Sequence, residues 1–331
     1  MKNLLLFLLA CSLGAAAAAR PIRGSVKCGG KPMSGVAVTD SYTFTQSDEQ
    51  GIFTLDADDQ ALFISLVTPS GYLAPLDGGI PQFYRAYDPA AKRYDFELQP
   101  WPGSGECYEL LAIADPQPKT EEHFRRLRSE VMPALQAATA DGKTRGANQA
   151  AILLGDIVWD SPELFAGVKA EFAGLGVPVY GVIGNHDHDQ TTLLKDSLGT
   201  MHYEMHLGPT CYSANIGRVH YIFIDDILYD RKDAKESYRH GLYDETVHWL
   251  IEDLKYVPKD KIIMICAHAQ MFNKKTTMVR RNKNFAAYSK ALLDFKYVYS
   301  WAGHNHHTYL YTSEPERNYD IDNLTSITVT K

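Results

Sequence analysis

Val177-Pro178-Val179-Tyr180-Gly181-Val182-Ile183-Gly184-Asn185-His186-Asp187 is the stretch whose reading decides the fold. Its first seven residues form a short, β-branched, unbroken apolar run, the pattern of a strand buried on both faces. A glycine then lets the chain turn sharply, and an amide, an imidazole and a carboxylate follow at once. Polar groups crowded onto the carboxyl end of a buried strand sit where open α/β sheets place their sites. Alone, Gly184-Asn185-His186-Asp187 carries little weight, because Asn and Asp also favour ordinary turns.

Working outward, the pattern repeats. Tyr108 to Ala114 reads as a buried strand and ends in Asp115-Pro116-Gln117. Ala151 to Leu154 ends in Gly155-Asp156-Ile157-Val158-Trp159-Asp160. Lys261 to Ala267 ends in His268, and Tyr297 to Trp301 runs into Gly303-His304-Asn305-His306. Between them lie helical stretches: Glu121 to Ala140 (interrupted by Pro133), Pro162 to Ala173 with Pro at its first turn, Thr246 to Leu254, and Phe285 to Phe295. Cys211 to Ile216 and Val219 to Ile224 read as a hairpin around Gly217-Arg218, and Thr308 to Tyr311 as a last strand. Strands alternating with helices predict a layered α/β or α+β domain. A sheet gathers its strand ends, so these side chains can share one site. Asp, Asn and His without Cys suit Mn, Fe, Zn or Co. One His at a strand end is more often a hydrogen-bonded core residue than a ligand, but so many strand ends carrying donor groups do not arise by chance.

Upstream, residues 20–102 show almost no helical periodicity. Short stretches at Gly24 to Lys27, Val36 to Thr39, Thr43 to Thr45, Ile52 to Leu55, Ala61 to Val67 and Arg93 to Leu98 are divided by Gly and Asp/Ser clusters, predicting a small antiparallel β-sandwich. Its pattern, Gly24-Ser25-Val26, Pro32 to Val38 and Asp48 to Phe53, resembles the transthyretin-like or carboxypeptidase-regulatory-like modules of secreted enzymes. No residue cluster here carries chemistry, so a structural cap is preferred to a carbohydrate- or partner-binding module. Trp101-Pro102-Gly103-Ser104-Gly105 reads as a linker.

The first 19 residues read as a signal peptide: Lys2, an apolar core from Leu4 to Cys11, and a small-residue cleavage site at Ala17-Ala18-Ala19. The mature chain is then expected to be extracytoplasmic, periplasmic or secreted, with lipoprotein processing at Cys11 as the minority alternative. No later apolar run approaches the ~20 residues of a membrane span. A net charge of -7 leaves no basic footprint for nucleic acid. Cys28, Cys107, Cys211 and Cys266 lack zinc-site spacing. Cys266 is expected as a buried thiol, while Cys28 and Cys107 could bridge the two segments.

The ordered set Asp115-x-Gln117, Gly155-Asp156-x-x-x-Asp160, Gly184-Asn185-His186-Asp187, His268 and Gly303-His304-x-His306 resembles the calcineurin-like metallophosphoesterase superfamily over about residues 106–312. The stretches Gly208 to Ser213, Gly217 to Asp225, Gly241 and Trp249-Leu250 are similar to its bacterial secreted branch, in which a small β-domain precedes the catalytic one. The resemblance implies a four-layer α/β (α+β) sandwich behind a small all-β sandwich. It implies two divalent metal ions, one held by Asp115, Gln117, Asp156 and His306, the other by Asp156, Asn185, His268 and His304. A metal-bridging hydroxide would attack phosphorus in line. His186 would protonate the leaving alkoxide, with Asp187 orienting its ring. Asp160 is read as lying behind the ligands or capping the helix at Pro162. Gln117 departs from the more frequent His, and an amide oxygen there predicts a weaker first metal site.

The other histidines are read conservatively. His188 and Asp189, and His202 and His206 in a predicted loop, are taken as solvated; His220, His240 and His248 as structural; His307 as a strand start; Arg280-Arg281 as a solvated pair. Only 24 residues follow His307, so 313–331 reads as a tail, a shortened remnant of the further β-rich domain common in the branch. The expected activity is hydrolysis of a phosphate ester on a small molecule or glycan, with phosphodiesterase or pyrophosphatase use of the same site, or a non-catalytic metal- or glycan-binding protein, as alternatives. Substrate, metal identity and oligomeric state are not encoded in these motifs.

Overall fold

The computed structural model describes residues 20–103, 107–189, 191, 196–229, 238–271, 283–306, 309–312 and 324–328. The expected signal peptide, Arg280-Arg281, His307 and the end of the linker lie outside these residues.

In residues 20–101 alternating burial produces two small sheets. Ile52–Ala57 alternates between core and solvent, and so does Arg93–Pro100, as period-2 side chains on a half-buried strand must. One sheet joins Lys31–Pro32, Arg20–Cys28, Arg93–Pro100 and Tyr72–Leu73, with Ile52–Ala57 beside Arg20–Cys28. The other runs Tyr84–Ala86, Phe63–Leu66, Ala37–Thr39 and Phe44–Gln46, with antiparallel neighbours throughout. The sandwich departs from the expected antiparallel pattern once: Arg20–Cys28 pairs in parallel with Arg93–Pro100. Parallel pairs need a long crossover, and the whole intervening domain supplies it.

The larger domain is built on two sheets. The first is parallel and holds Tyr108–Ile113, Asn148–Leu154 and Val179–Val182. The second runs in the order Tyr212–Ile216, Val219–Phe223, Ile262–Cys266, Tyr297–Ala302, Leu324–Thr328 and Tyr309–Thr312. Its middle four strands are parallel, and each edge strand is antiparallel to its neighbour. Leu324–Thr328 falls in the segment expected to be a tail and instead fills a place inside this sheet.

Strand pleating sorts the side chains into layers. Ala150, Ile152, Leu154, Tyr180 and Val182 face Tyr212, Ala214, Tyr221, Phe223 and Cys266 across the gap between sheets. Their alternates Ala151, Leu153 and Val179 pack outward on Phe124, Met132, Phe165 and Phe172. Ile222, Ile263, Ile265 and Val298 do the same against Val247, Leu250, Tyr288 and Leu292. The result is the expected helix–sheet–sheet–helix order. The first outer helix runs Glu121–Arg126, passes through a π-helical turn at Leu127–Val131, and continues as Met132–Thr144. Pro133 falls just after this π-helical turn, the kind of break in the α-helical ladder that accommodates a proline.

The β-domain shares its core with the gap between the two large sheets: Ile22, Val38, Phe83 and Phe96 lie in one apolar cluster with Ile152, Tyr212 and Phe223. Phe83 packs on Tyr212 at 4.6 Å between ring centroids, Asn215 N donates to Thr68 O at 2.8 Å and Val179 N to Gly79 O at 2.9 Å. The domain therefore caps the sandwich rather than hanging from a linker. Cys28, Cys107, Cys211 and Cys266 are all free, so no bridge joins Cys28 to Cys107. Met201–Leu207, expected as a loop around His202 and His206, is a helix. Two of its three i, i+4 pairs, Tyr203/Leu207 and Met201/Met205, are apolar, so the sequence displays no single face; only the first of these is buried.

Candidate active site

The strand ends converge on one edge of the sandwich. The first sheet delivers Asp115, Gln117, Asp156, Asn185 and His186, and the second delivers His268, His304 and His306. The backbone bends hard to present them. Eight non-glycine residues have positive φ among those described, and six are here: Asp115 (52°), Gln117 (42°), Asp156 (49°), Asp160 (47°), His304 (70°) and His306 (52°). Left-handed backbone at a non-glycine residue costs energy and persists where the surroundings over-determine it, as functional sites do. The glycines between the ligands are there for approach. A Cβ on Gly184 would sit 2.2 Å from Asp156 N, and one on Gly303 would sit 2.7 Å from an Asp115 carboxylate oxygen.

Two groups of ligand atoms share Asp156: Asp156, His268 and His304, and Asp115, Asp156 and His306. His268 Nε2 lies 3.2 Å from Asp156 Oδ1, 3.1 Å from Asn185 Oδ1 and 3.3 Å from His304 Nδ1. His306 Nε2 lies 3.2 Å from Asp115 Oδ1, and His304 N donates to both Asp115 oxygens. His268 Nδ1 is 2.9 Å from Leu154 O, which accepts its proton and turns Nε2 toward the cluster. Two carboxylates, an amide and three imidazoles on a common centre form a hard-to-borderline donor set that fits divalent cations. Gln117 is buried at the same centre, with its amide nitrogen donating to Asp156 Oδ2 at 2.6 Å. An amide flip would turn its oxygen there instead.

The electrostatics follow from burying so many charges together. Burial pushes the His268 imidazole down, but Asp156 and Asp115 more than offset it and lift it to about 10. Burial pushes Asp156 up, and the charge of His268 overrides it and holds the carboxyl well below the usual range. Burial and then the His268 charge push His304 down to about 3. Burial raises Asp115. Without a cation, a proton on His268 balances the carboxylates, as expected where the donors are arranged for positive charge.

The His186 ring is oriented differently from expectation. Asp187 does not touch it: Asp187 Oδ1 accepts from Val158 N at 2.9 Å and Oδ2 from Gly184 N at 2.8 Å. Burial, then the Asp156 charge, lift that carboxyl to about 7. It is Asp160 that faces the ring, with Oδ1 3.0 Å from His186 Nδ1. The two loops are also tied through backbone, Asp160 N to His186 O at 3.0 Å and His186 N to Asp156 Oδ1 at 2.9 Å. Asp160 does not cap the helix at Pro162; Ser161 holds the N-cap position.

His188 is buried, not solvated, with Nδ1 2.8 Å from Gly184 O and Nε2 3.3 Å from Asp225. His202 and His206 sit on the helix Met201–Leu207, and Asp189 lies 3.7 Å from His202. His220 pairs with Asp253 at 2.7 Å inside the core. His248 is exposed. His240 meets the site directly, edge-on to His304 at 5.1 Å. Sequence reasoning missed three supports. Asp226 accepts from His268 N and Ala269 N and so fixes the loop that carries His268. Tyr229 Oη donates to Asn185 O at 2.6 Å. Trp159 stacks on His186. Asp226 had a signal, being another carboxylate just past a buried strand; the tyrosine and tryptophan had none.

Residues 20–101 match the family model described as "N terminal of Calcineurin-like phosphoesterase". The match covers the β-domain alone, the module expected ahead of a calcineurin-like catalytic domain. No curated protein matches the chain. Among solved structures, it is similar to a dimetal phosphatase from Danio rerio, at 16% identity and TM-score 0.46, over 67% of this chain and 86% of that one. It is also similar to a purple acid phosphatase from yellow lupin (Lupinus luteus) seeds, at 10% identity and TM-score 0.47, over 89% of this chain and 59% of that one.

Proposed function

We propose that the protein hydrolyses phosphate esters of small molecules at a dinuclear divalent-metal centre, with His186 as general acid. The observation that carries this reading is the pair of donor groups sharing Asp156, with the Asp160–His186 pair beside them. One ion would be held by Asp115, Gln117, Asp156 and His306, the other by Asp156, Asn185, His268 and His304. Two such ions supply, when bound, an activated water and positive charge for the phosphoryl oxygens. The chain's own residues do the rest. Asp156 and Asp115 provide the negative charge that holds cations. Asp226 and the Leu154 carbonyl hold His268 in one tautomer. Asp160 accepts the Nδ1 proton of His186 and so directs its Nε2–H at the leaving oxygen. As the P–O bond to that oxygen breaks, its electron pair stays on oxygen and takes the Nε2 proton, leaving a neutral imidazole. Entry to the extracytoplasmic space through residues 1–19 belongs to the same proposal.

The test strips metal from the purified protein, adds back Mn, Zn, Fe or Co separately, and follows p-nitrophenyl phosphate beside its bis ester. Metal-restored turnover is the expected result, with kcat on an alkyl phosphate assayed alongside lowered about 10²–10³-fold in His186→Asn at unchanged metal content, and far less lowered on p-nitrophenyl phosphate, whose leaving group needs little protonation. Full turnover of the alkyl phosphate in that variant would remove His186 from the chemistry. No turnover and no stoichiometric metal would favour a binding protein.

A further inference from the structure

We infer that Trp159 is a positioning residue for His186: its indole clamps the plane of the imidazole while Asp160 clamps one ring nitrogen. The inference rests on the reading of His186 as general acid. The Trp159 and His186 rings lie 4.3 Å apart between centroids and 24° from parallel. Asp160 Oδ1 is 3.0 Å from Nδ1. One hydrogen bond selects the tautomer but leaves the ring free to swing about that contact. Both partners are also open to water, with side-chain exposures of 22% for His186 and 39% for Asp160, so solvent competes for the bond. A parallel indole removes the swing and shields one ring face.

Trp159 is itself held. Its backbone N donates to Pro118 O at 3.1 Å, and its carbonyl accepts from Ser161 Oγ at 2.8 Å. Ser161 Oγ also contacts Lys119 O at 3.0 Å, and Lys119 Nζ sits 5.3 Å from the indole centroid, within cation–π range. The loop that carries Gln117 and the loop that carries Asp156 and Asp160 thus close on the indole together. The direction of the Nε2–H is set by this stack, and displacement of a reacting group by about 1 Å can cost ~10²-fold in rate.

A general acid matters in proportion to how badly the leaving group needs a proton, so the test varies the leaving group. Trp159→Leu, Trp159→Phe and the wild type are compared on p-nitrophenyl phosphate, whose leaving group needs little help, and on phenyl and alkyl phosphates, whose leaving groups need much. The expected result for Trp159→Leu is a kcat about 10–100-fold lower on alkyl phosphate, a loss under about threefold on p-nitrophenyl phosphate, an unchanged KM, and recovery of most of the loss in Trp159→Phe. A second measurement needs no turnover: the His186 ring protons should shift upfield under the indole ring current in the wild type, and that shift should vanish in Trp159→Leu. An equal loss on all substrates would make the role structural and overturn the inference. So would an unshifted His186 in the wild type. If His186→Asn itself shows no leaving-group dependence, the general-acid reading fails; if it does and Trp159→Leu does not, only the positioning role fails.

Discussion

The two sheets of the larger domain bring different chemistry to the same edge. The first supplies the carboxylates Asp115 and Asp156, the amides Gln117 and Asn185, and the imidazole of His186. The second supplies the imidazoles His268, His304 and His306. Neither half is a site. The bonds that make it one cross the gap: His304 N to Asp115, His268 Nδ1 to Leu154 O, and His268 Nε2 to Asp156 and Asn185. Burying the acids of one side against His268 of the other makes that imidazole their counter-charge, while His304 is held neutral and His306 sits at the exposed rim. A donor cluster built as a seam has that consequence: its stability and its chemistry depend on the packing between the sheets.

The largest expected effect tests that symmetry. Asp156→Asn removes the shared ligand of the first sheet, and His268→Ala a ligand of the second. Each should lower metal-dependent turnover by about 10³-fold or more and lower bound metal, read by elemental analysis of the purified variants. If either variant kept full turnover and full metal, the site would belong to one sheet.

A smaller pair of effects divides the acids of the first half by task. Asp160→Asn should lower kcat about tenfold and leave the melting temperature alone, because Asp160 faces His186 at the rim. Asp187→Asn should do the reverse. Its carboxylate accepts two buried backbone N–H groups, and an amide NH2 facing one of them would cost about 1–3 kcal/mol of stability, read by denaturant unfolding. Interchanged outcomes would restore Asp187 as the group that orients His186.

The smallest effect lies where the halves are cross-braced. Burial, opposed by a Thr200 hydrogen bond and reinforced by Asp225, raises Glu204 from 4.5 to about 7. Its neighbours come from both halves: His188 after the first sheet and Asp225 after the second. A carboxyl raised by folding contributes fully below about pH 4.5, and that contribution is lost as pH rises to about 7. Glu204→Gln should therefore be neutral near pH 4.5 and stabilising by about 1–2 kcal/mol at pH 8, after discount for partial solvation, raising the melting temperature by a few degrees. No pH dependence in the difference would mean that Glu204 is solvated and braces nothing.

Much of this was legible in advance, for physical reasons. A buried strand must be apolar throughout, so Tyr108 to Ala114, Ala151 to Leu154 and Lys261 to Ala267 announced themselves, and the polar residue that ended each run marked the site. The misreadings share a cause. Asp187 follows His186 in the chain and so reads as its partner, yet the sharp turn after Gly184 folds its carboxylate back on Gly184 N and Val158 N. His188 looked solvated because a loop residue with a polar neighbour gives no burial signal. Residues 313–331 looked like a tail because Leu324–Thr328 is short and pairs with strands distant in sequence.

The sequence by itself determined the inventory: which side chains can hold cations, which can move a proton, and that they sit at the ends of strands. Only the tertiary structure decided the pairings. Whether Asp160 or Asp187 faces His186, which His268 nitrogen points inward, and which six residues are forced to positive φ depend on contacts between segments tens to well over a hundred residues apart. Such contacts form only when the two sheets pack: Asp and His enter left-handed backbone more readily than other side chains, but still at a cost, and packing holds them and the buried imidazoles in place.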